Sequence, residues 1–195
     1  NRLIDIDDYA GCQNYYNTKE YTNLSQEDTT MRYDRNGNLY FDLDRGISRI
    51  TYNLLNLPET VQFQNGNQLI MEYDANGKKS SLQRIVLAEP IVVPQGIIAD
   101  LRHKSYSSYH TNFIGNLEIE EPGPGNFVFT FNNPVGYVKM SDRDGIFHYN
   151  YFVQDHLGNV CAIWNAENLA CSQRMWYYPS GLPIDMSINQ SEQSV

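Results

Sequence analysis

The dipeptide Asn-Gly occurs three times in the first half of this chain, each time between runs of apolar or β-branched residues. The copies are Asn36-Gly37, Asn65-Gly66 and Asn76-Gly77. Glycine tolerates the positive φ of a type I′ turn and asparagine is the next best residue there, so this dipeptide between alternating strands is a strong hairpin signal. The sequence therefore predicts three β-hairpins with a type I′ turn at each dipeptide.

The residues that flank these turns alternate between apolar and polar. Successive side chains of a strand point to opposite faces, so we expect one apolar face and one mostly polar face. The apolar set is Met31, Tyr33, Leu39, Phe41, Leu43, Val61, Phe63, Leu69, Met71 and Tyr73, and the other set is Arg32, Tyr40, Asp42, Gln62, Gln64 and Glu72.

A tyrosine followed by aspartate or asparagine recurs along the same region. The pairs Tyr33-Asp34, Tyr52-Asn53 and Tyr73-Asp74 stand 19 and then 21 residues apart. A self-similar period of about 20 residues indicates stacked supersecondary units. Because one hairpin cannot cover its own apolar face, we expect several to lie side by side.

Composition agrees with a protein made of strands. The chain has 15 tyrosines, 8 phenylalanines and 2 tryptophans, and good helix formers do not occur in runs. Aromatic side chains favour half-buried pleated surfaces. The predicted fold class is all-β, with antiparallel hairpin repeats that form a curved sheet.

Turn and proline signals divide the chain into four predicted regions. Hairpin repeats occupy residues 1–88, an irregular connector with three breaking residues occupies 89–105, a second β region spans 106–183, and a flexible tail follows at 184–195. In the connector the breaking residues are Pro90, Pro94 and Gly96.

Charge and cysteine content exclude several classes of function. The formal net charge of −9 disfavours nucleic-acid binding, which needs clustered Lys and Arg. No run of 18 apolar residues is present, so no membrane insertion is expected, and no export signal is visible in this segment. Cys12, Cys161 and Cys171 lack metal-ligand spacing; a disulfide between the last two is an alternative to two buried thiols.

Several phrases together resemble the RHS/YD-repeat proteins of bacteria. "YDRNGN", "GISRITYNLLNLPETVQFQNGN" and "YDANGKK" look like successive YD repeats, and "YFVQDHLGNV" with "WYYPSGLP" is similar to the segment that leads into the core-associated domain. The sequence departs from the family at Asn53, at Cys161 and at Ser180, where phenylalanine is usual. The resemblance implies structural roles in the repeat motif for Tyr33, Asp34, Gly37, Tyr52, Asn53, Tyr73, Asp74, Gly77, Asp155, His156, Gly158, Asn159, Tyr178, Pro179 and Gly181.

The resemblance implies a fold and a function. In this family YD repeats form a strip of sheet that spirals into a hollow shell, often around a C-terminal toxin of a secreted or cell-surface protein. It implies a non-enzymatic wall module whose partner is the rest of its own polypeptide. Any self-cleavage site of the family is expected beyond residue 195.

The acidic turns and one Asp-His pair are the candidates for chemistry. Asp34 and Asp74 could be acids or metal ligands, but an aspartate that accepts backbone N–H bonds in its own turn is favoured. Asp155 and His156, with Cys161 nearby, suggest an acid–base pair. Neighbours on a strand point to opposite faces, so a turn with a locally packed histidine is favoured. His103, His110 and His148 show no ligand spacing, and we expect no catalytic, cofactor or metal site.

Two alternatives remain open from the residues alone. Trp164 and Trp176, with Tyr177 and Tyr178, could form a platform for sugars, which would make the chain an adhesion or carbohydrate-binding module. Bare sheet edges and an apolar face also favour self-association of the isolated segment or coverage by residues 88–135.

Overall fold

The structure is a computed structural model that describes Ile4, residues 30–177 and the backbone of Pro183–Met186. Every regular element in these ranges is a β-strand, which confirms the all-β class. With no helix there, none is long and apolar enough to cross a membrane. The described residues fall into two compact units, one with 30–114 and Glu120–Gly125 and the other with Gly115–Ile119 and the residues from 126 onward.

The first unit contains an antiparallel meander in which each strand pairs with the next along the chain. Its strands are β1 (Met31–Tyr33), β2 (Leu39–Asp42), β3 (Ile47–Tyr52), β4 (Pro58–Phe63), β5 (Gln68–Tyr73), β6 (Lys79–Leu87) and β7 (Tyr106–Ile114). A further strand, β8 (Leu117–Gly123), follows.

The second unit contains an antiparallel meander of the same kind. Its strands are β9 (Asn126–Asn133), β10 (Gly136–Ser141), β11 (Phe147–Gln154), β12 (Val160–Asn165), β13 (Cys171–Tyr177) and β14 (Pro183–Met186).

The three Asn-Gly dipeptides lie at hairpin tips, as predicted, but the predicted turn type is wrong. A type I′ turn needs positive φ at both central residues. Here only the glycines have it, with φ of 94° at Gly37, 91° at Gly66 and 78° at Gly77. Each tip is a three-residue loop that ends in a left-handed glycine, and the strand register shifts beside two of the three.

Residues 88–105 contain no strand and cross one face of the first meander; we call them the crossing segment. The crossing segment covers β3–β6, and its backbone is hydrogen-bonded to β3 and to the turn between β4 and β5. The hydrogen bonds run from Ile91 N to Asn65 O (3.2 Å), Val93 N to Gln64 O (2.8 Å) and Gly96 N to Ser48 O (2.8 Å).

Gln62, expected on the polar face, is fully buried beneath the crossing segment. Its Oε1 accepts from Gln68 Nε2 at 2.7 Å and from Ala99 N at 2.9 Å. Its Nε2 donates to Phe63 O at 2.9 Å and to Asn67 O at 3.2 Å. Burying a side-chain amide costs little free energy only when its donor and its acceptor both have hydrogen-bond partners, as they do here. The polar face is therefore an internal face at this point.

An apolar cluster completes the contact between sheet and cover. Ile85, Leu87 and Leu101 are each less than 9% exposed and pack together. Gly66 sits against the same cluster, and a Cβ at this position would come within 2.4 Å of Leu87 Cδ1 and 2.6 Å of Ile91 Cγ1. Glycine is thus required at this tip both for its positive φ and for the close approach of the cover.

We expect Gln62→Ala to lower the free energy of unfolding of the first unit by about 2–3 kcal/mol, because the Ala99 N–H and part of the Gln68 amide lose their buried acceptor. Urea unfolding and hydrogen exchange of the crossing-segment amides measure this. Gln64→Ala, at an exposed position two residues away, is the control and should change neither. Equal protection of the Ala99 amide in both variants would contradict the role of Gln62.

Candidate functional site

The turn after β1 is organised by one carboxylate. The backbone of Asp34 closes the loop, with Asp34 N to Asn38 O at 2.8 Å and Gly37 N to Asp34 O at 3.2 Å. Its Oδ1 accepts from Asn36 N (2.9 Å) and Asn38 N (2.8 Å), and its Oδ2 accepts from Asn38 Nδ2 (3.0 Å). The side chain therefore replaces strand partners for the N–H groups that the loop leaves unpaired.

Desolvation alone would raise the pKa of the Asp34 carboxyl. The hydrogen bonds from Asn38, Asn36 and Gly37 outweigh it and hold that pKa below its ordinary value of 3.8. The carboxylate is consequently charged at neutral pH, as an acceptor of several N–H bonds should be.

The same arrangement recurs at the next repeat without a charge. Asn53 Oδ1 accepts from Leu55 N at 2.9 Å and from Leu57 N at 3.1 Å. Asn56 takes the place of the glycine, with φ of 57°. Asparagine tolerates this left-handed conformation better than other side chains. The departure from Tyr-Asp at this repeat thus preserves the turn.

Asp74 repeats the arrangement at the third turn. Its Oδ1 accepts from Asn76 N and Lys78 N, both at 2.9 Å, and Gly77 N donates to Asp74 O at 3.0 Å. The intervening turn between β4 and β5 closes with the same backbone bonds but begins at Phe63, which has no acceptor. At this turn Asn67 N donates instead to Asn65 Oδ1 at 3.0 Å, so between β3 and β6 turns with an acceptor at the first position alternate with one whose acceptor is at the third.

The second unit carries a fourth copy at Asp155. Its Oδ1 accepts from Leu157 N (2.8 Å) and Asn159 N (2.9 Å), and its Oδ2 accepts from Asn159 Nδ2 (2.9 Å). The Asn159 side chain, followed by its backbone N–H, lowers the pKa of this carboxyl. Gly158 is left-handed, with φ of 84°. These residues match the first turn atom for atom.

The tyrosines of the second and third tyrosine–Asp/Asn pairs each donate a hydrogen bond to the preceding hairpin. Tyr52 Oη donates to Leu39 O at 2.8 Å, and Tyr73 Oη donates to Pro58 O at 2.8 Å. In both cases the acceptor lies five residues after the first residue of the preceding acceptor turn. Burial raises the pKa of both phenols, and the nearby Asp34 charge adds to the effect at Tyr52. Each phenol therefore stays neutral and able to donate.

The same kind of bond identifies a further tyrosine of this type, which was not among the predicted motif residues. Tyr177 Oη donates to Val160 O at 3.0 Å, and Val160 lies five residues after Asp155. Tyr177 is thus the equivalent of Tyr52 and Tyr73. Tyr177 lies 22 residues after Asp155, whereas Tyr52 and Tyr73 lie 18 and 20 residues after Asp34 and Asn53, so the spacing alone did not predict it. The predicted motif residues Tyr178, Pro179 and Gly181 lie outside the described residues.

The Asp155-His156 pair is not arranged for acid–base chemistry. The Asp155 carboxylate is engaged by its own turn, and the His156 side chain is exposed. Cys161 Sγ points to Asn159 O at 3.6 Å, and Cys161 and Cys171 are both free thiols. Asp155 therefore belongs to a structural turn, as expected, but the prediction that His156 packs locally is wrong because its side chain is exposed.

The other histidines do not converge on a site. His103 and His110 are exposed, and His148 Nδ1 lies 2.9 Å from Glu167 Oε2. Among residues 30–177, no group of three or more His, Cys, Asp or Glu side chains could hold a metal ion.

One face of the second meander is aromatic and open to solvent. Alternate residues of β11 provide Phe147, Tyr149, Tyr151 and Val153, which are 46–54% exposed. A groove of about 410 Å³ on this face is lined by Leu117, Phe129, Phe131, Val138, Met140, Phe147 and Tyr149. We call the side chains that line this groove, together with Tyr151 and Val153, the aromatic face. Such a continuous exposed apolar surface is typical of interaction sites.

A second groove, of about 420 Å³, lies over β12 and β13. Trp164 and Trp176 both line it, with 41% and 64% of their surfaces exposed. Ala162 and Arg174, which are paired across the two strands, lie between them, and Asp155 also lines the groove. We call it the tryptophan groove. Both tryptophans were candidates for a sugar platform from the sequence, but the local sequence does not predict that they line one groove.

A scan against models of known protein families found none that matches this chain, and a search of curated protein sequences found no match either.

We expect Asp34→Asn to fold normally, because Asn53 accepts the equivalent hydrogen bonds in its own turn. Asp34→Ala should lower the unfolding midpoint, because two backbone N–H groups lose their acceptor. The folded-state pKa is depressed, so the charge of Asp34 stabilises the fold above pH 3.8 and this stability is lost as pH falls through the folded-state pKa. Urea titrations from pH 7 to pH 2 test this. Asp34→Asn should show a shallower acid loss than the unaltered chain; an identical profile would contradict the assignment.

Tyr73→Phe should lower the free energy of unfolding by about 1 kcal/mol, since the Pro58 carbonyl loses its donor. Tyr149→Phe, which removes an exposed hydroxyl, is the matched control and should leave stability unchanged. Denaturant titration of both variants measures the difference. Equal stability of the two would show that the interhairpin bond contributes nothing.

Proposed function

We propose that this chain is a non-enzymatic wall module of a bacterial RHS/YD-repeat protein, secreted or on the cell surface. The aromatic face would lie against a cargo segment of the same polypeptide and separate it from solvent. The exposed aromatic face is the observation that carries the proposal. An apolar surface of this size that is exposed on an isolated folded chain is typically covered by a partner in the assembled protein.

The repeated turn supports membership of the family. Four turns share an acceptor at the first position and a left-handed residue at the fourth, and three tyrosines donate to the hairpin before them. A bond from each repeat to its predecessor lets hairpins be added one after another along a growing strip. This is the construction that the family resemblance implies.

The absence of enzymatic activity is part of the proposal and is supported by how the candidate groups are used. The carboxylates of Asp34, Asp74 and Asp155 accept hydrogen bonds from their own turns. A general base needs its carboxylate or imidazole within reach of a substrate proton and oriented by a third group. The described residues offer no such set.

The proposal is tested in the native polypeptide with a photo-crosslinking amino acid in place of Tyr149. We expect crosslinks to one segment of the same polypeptide outside residues 1–195, identified by mass spectrometry. The control carries the same amino acid in place of Lys139, whose side chain points to the opposite face of the sheet because it lies between Val138 and Met140. Crosslinks from position 149 to separate proteins only, or equal yields from both positions, would contradict the wall assignment.

A further inference from the structure

The tryptophan groove has the composition of a small-ligand site. It joins two exposed indoles to one carboxylate and one guanidinium, and its floor is a small side chain, Ala162. Ligand sites are commonly apolar clefts with a few polar groups that fix orientation. Nothing in the wall function requires this combination.

Strand geometry sets the length of the groove. Ala162 pairs with Arg174 in antiparallel register. Trp164 lies two residues along β12 from this pair and Trp176 two residues along β13 in the opposite direction, so the backbones of the two tryptophans are separated by about 13 Å along the strands. A ligand that contacts both indoles must be elongated.

The polar groups retain hydrogen-bonding capacity. An ionised carboxylate offers about four acceptor positions, and the Asp155 turn uses two on Oδ1 and one on Oδ2. Within residues 30–177, the Arg174 guanidinium has no ion-pair or hydrogen-bond partner, nor do the two indole N–H groups. The groove thus presents several donors and at least one acceptor beside two aromatic faces.

We propose that the tryptophan groove binds a neutral oligosaccharide. The negative face of an indole attracts the weakly positive C–H groups on one side of a pyranose ring. Sugar hydroxyls both donate and accept, which suits a site that carries Asp155 and Arg174 together. A nucleic acid is disfavoured by the net charge of −9 and by the carboxylate in the groove. The inference does not depend on the wall function.

The two tryptophans are the only ones in the chain, so tryptophan emission, excited at a wavelength that tyrosine does not absorb, reports this groove alone. The full chain is titrated with cellotriose, maltotriose, xylotriose, mannotriose and chitotriose, each to millimolar concentration, with glucose as the short control. We expect at least one trisaccharide to change the emission saturably and to bind about tenfold tighter than glucose, because it reaches both indoles.

Variants separate this site from nonspecific binding. Trp176→Ala and Arg174→Ala should each weaken binding about tenfold, as followed by calorimetry, whereas Phe131→Ala on the aromatic face should not. Trp176→Phe keeps an aromatic ring and should retain most of the affinity, which covers the case in which the alanine variant does not fold. No saturable response to any trisaccharide, or binding that Trp176→Ala and Arg174→Ala leave unchanged, would overturn the proposal.

Discussion

The side-chain acceptor at the start of four of the tight turns is the interaction on which the repeated hairpins depend. Asp34, Asn53, Asp74 and Asp155 each accept two N–H groups that a three-residue loop leaves without strand partners. The loop then ends in a left-handed residue and introduces a bulge, which sets the register of the next strand. The register in turn places the tyrosine hydroxyl over the carbonyl of the previous hairpin.

The two units differ in whether one face of the sheet is covered or left exposed to solvent. In the first unit the crossing segment covers one face, and the buried amide of Gln62 makes four hydrogen bonds, one of which is to Ala99 N in the crossing segment. In the second unit the aromatic face keeps about half of several ring surfaces in contact with solvent. The first arrangement stabilises the unit itself, whereas the second leaves apolar surface available for a partner. The proposed wall function follows from that surface.

The repeated turn also explains why acidic residues at regular spacing need not imply chemistry. A carboxylate that already accepts three hydrogen bonds and has a depressed pKa is a poor general base at neutral pH. The charges of Asp34 and Asp155 are used to pair backbone N–H groups. We propose recognition instead at the aromatic face and at the tryptophan groove, where Asp155 keeps an acceptor position beyond those its turn uses.

Local pattern by itself determined the strands, the hairpin tips and the role of the turn aspartates, because these depend on alternation and on residues within four positions of one another. It misassigned the turn type at all three Asn-Gly tips, including the one that begins at Phe63, because each strand pair closes through a three-residue loop in which only the glycine is left-handed. Only the tertiary structure decided that Gln62 is internal, that Tyr177 belongs with Tyr52 and Tyr73, and that Trp164 and Trp176 share a groove. Those outcomes depend on which strand lies beside which and on where the crossing segment packs, and neither is encoded in the local alternation of side chains.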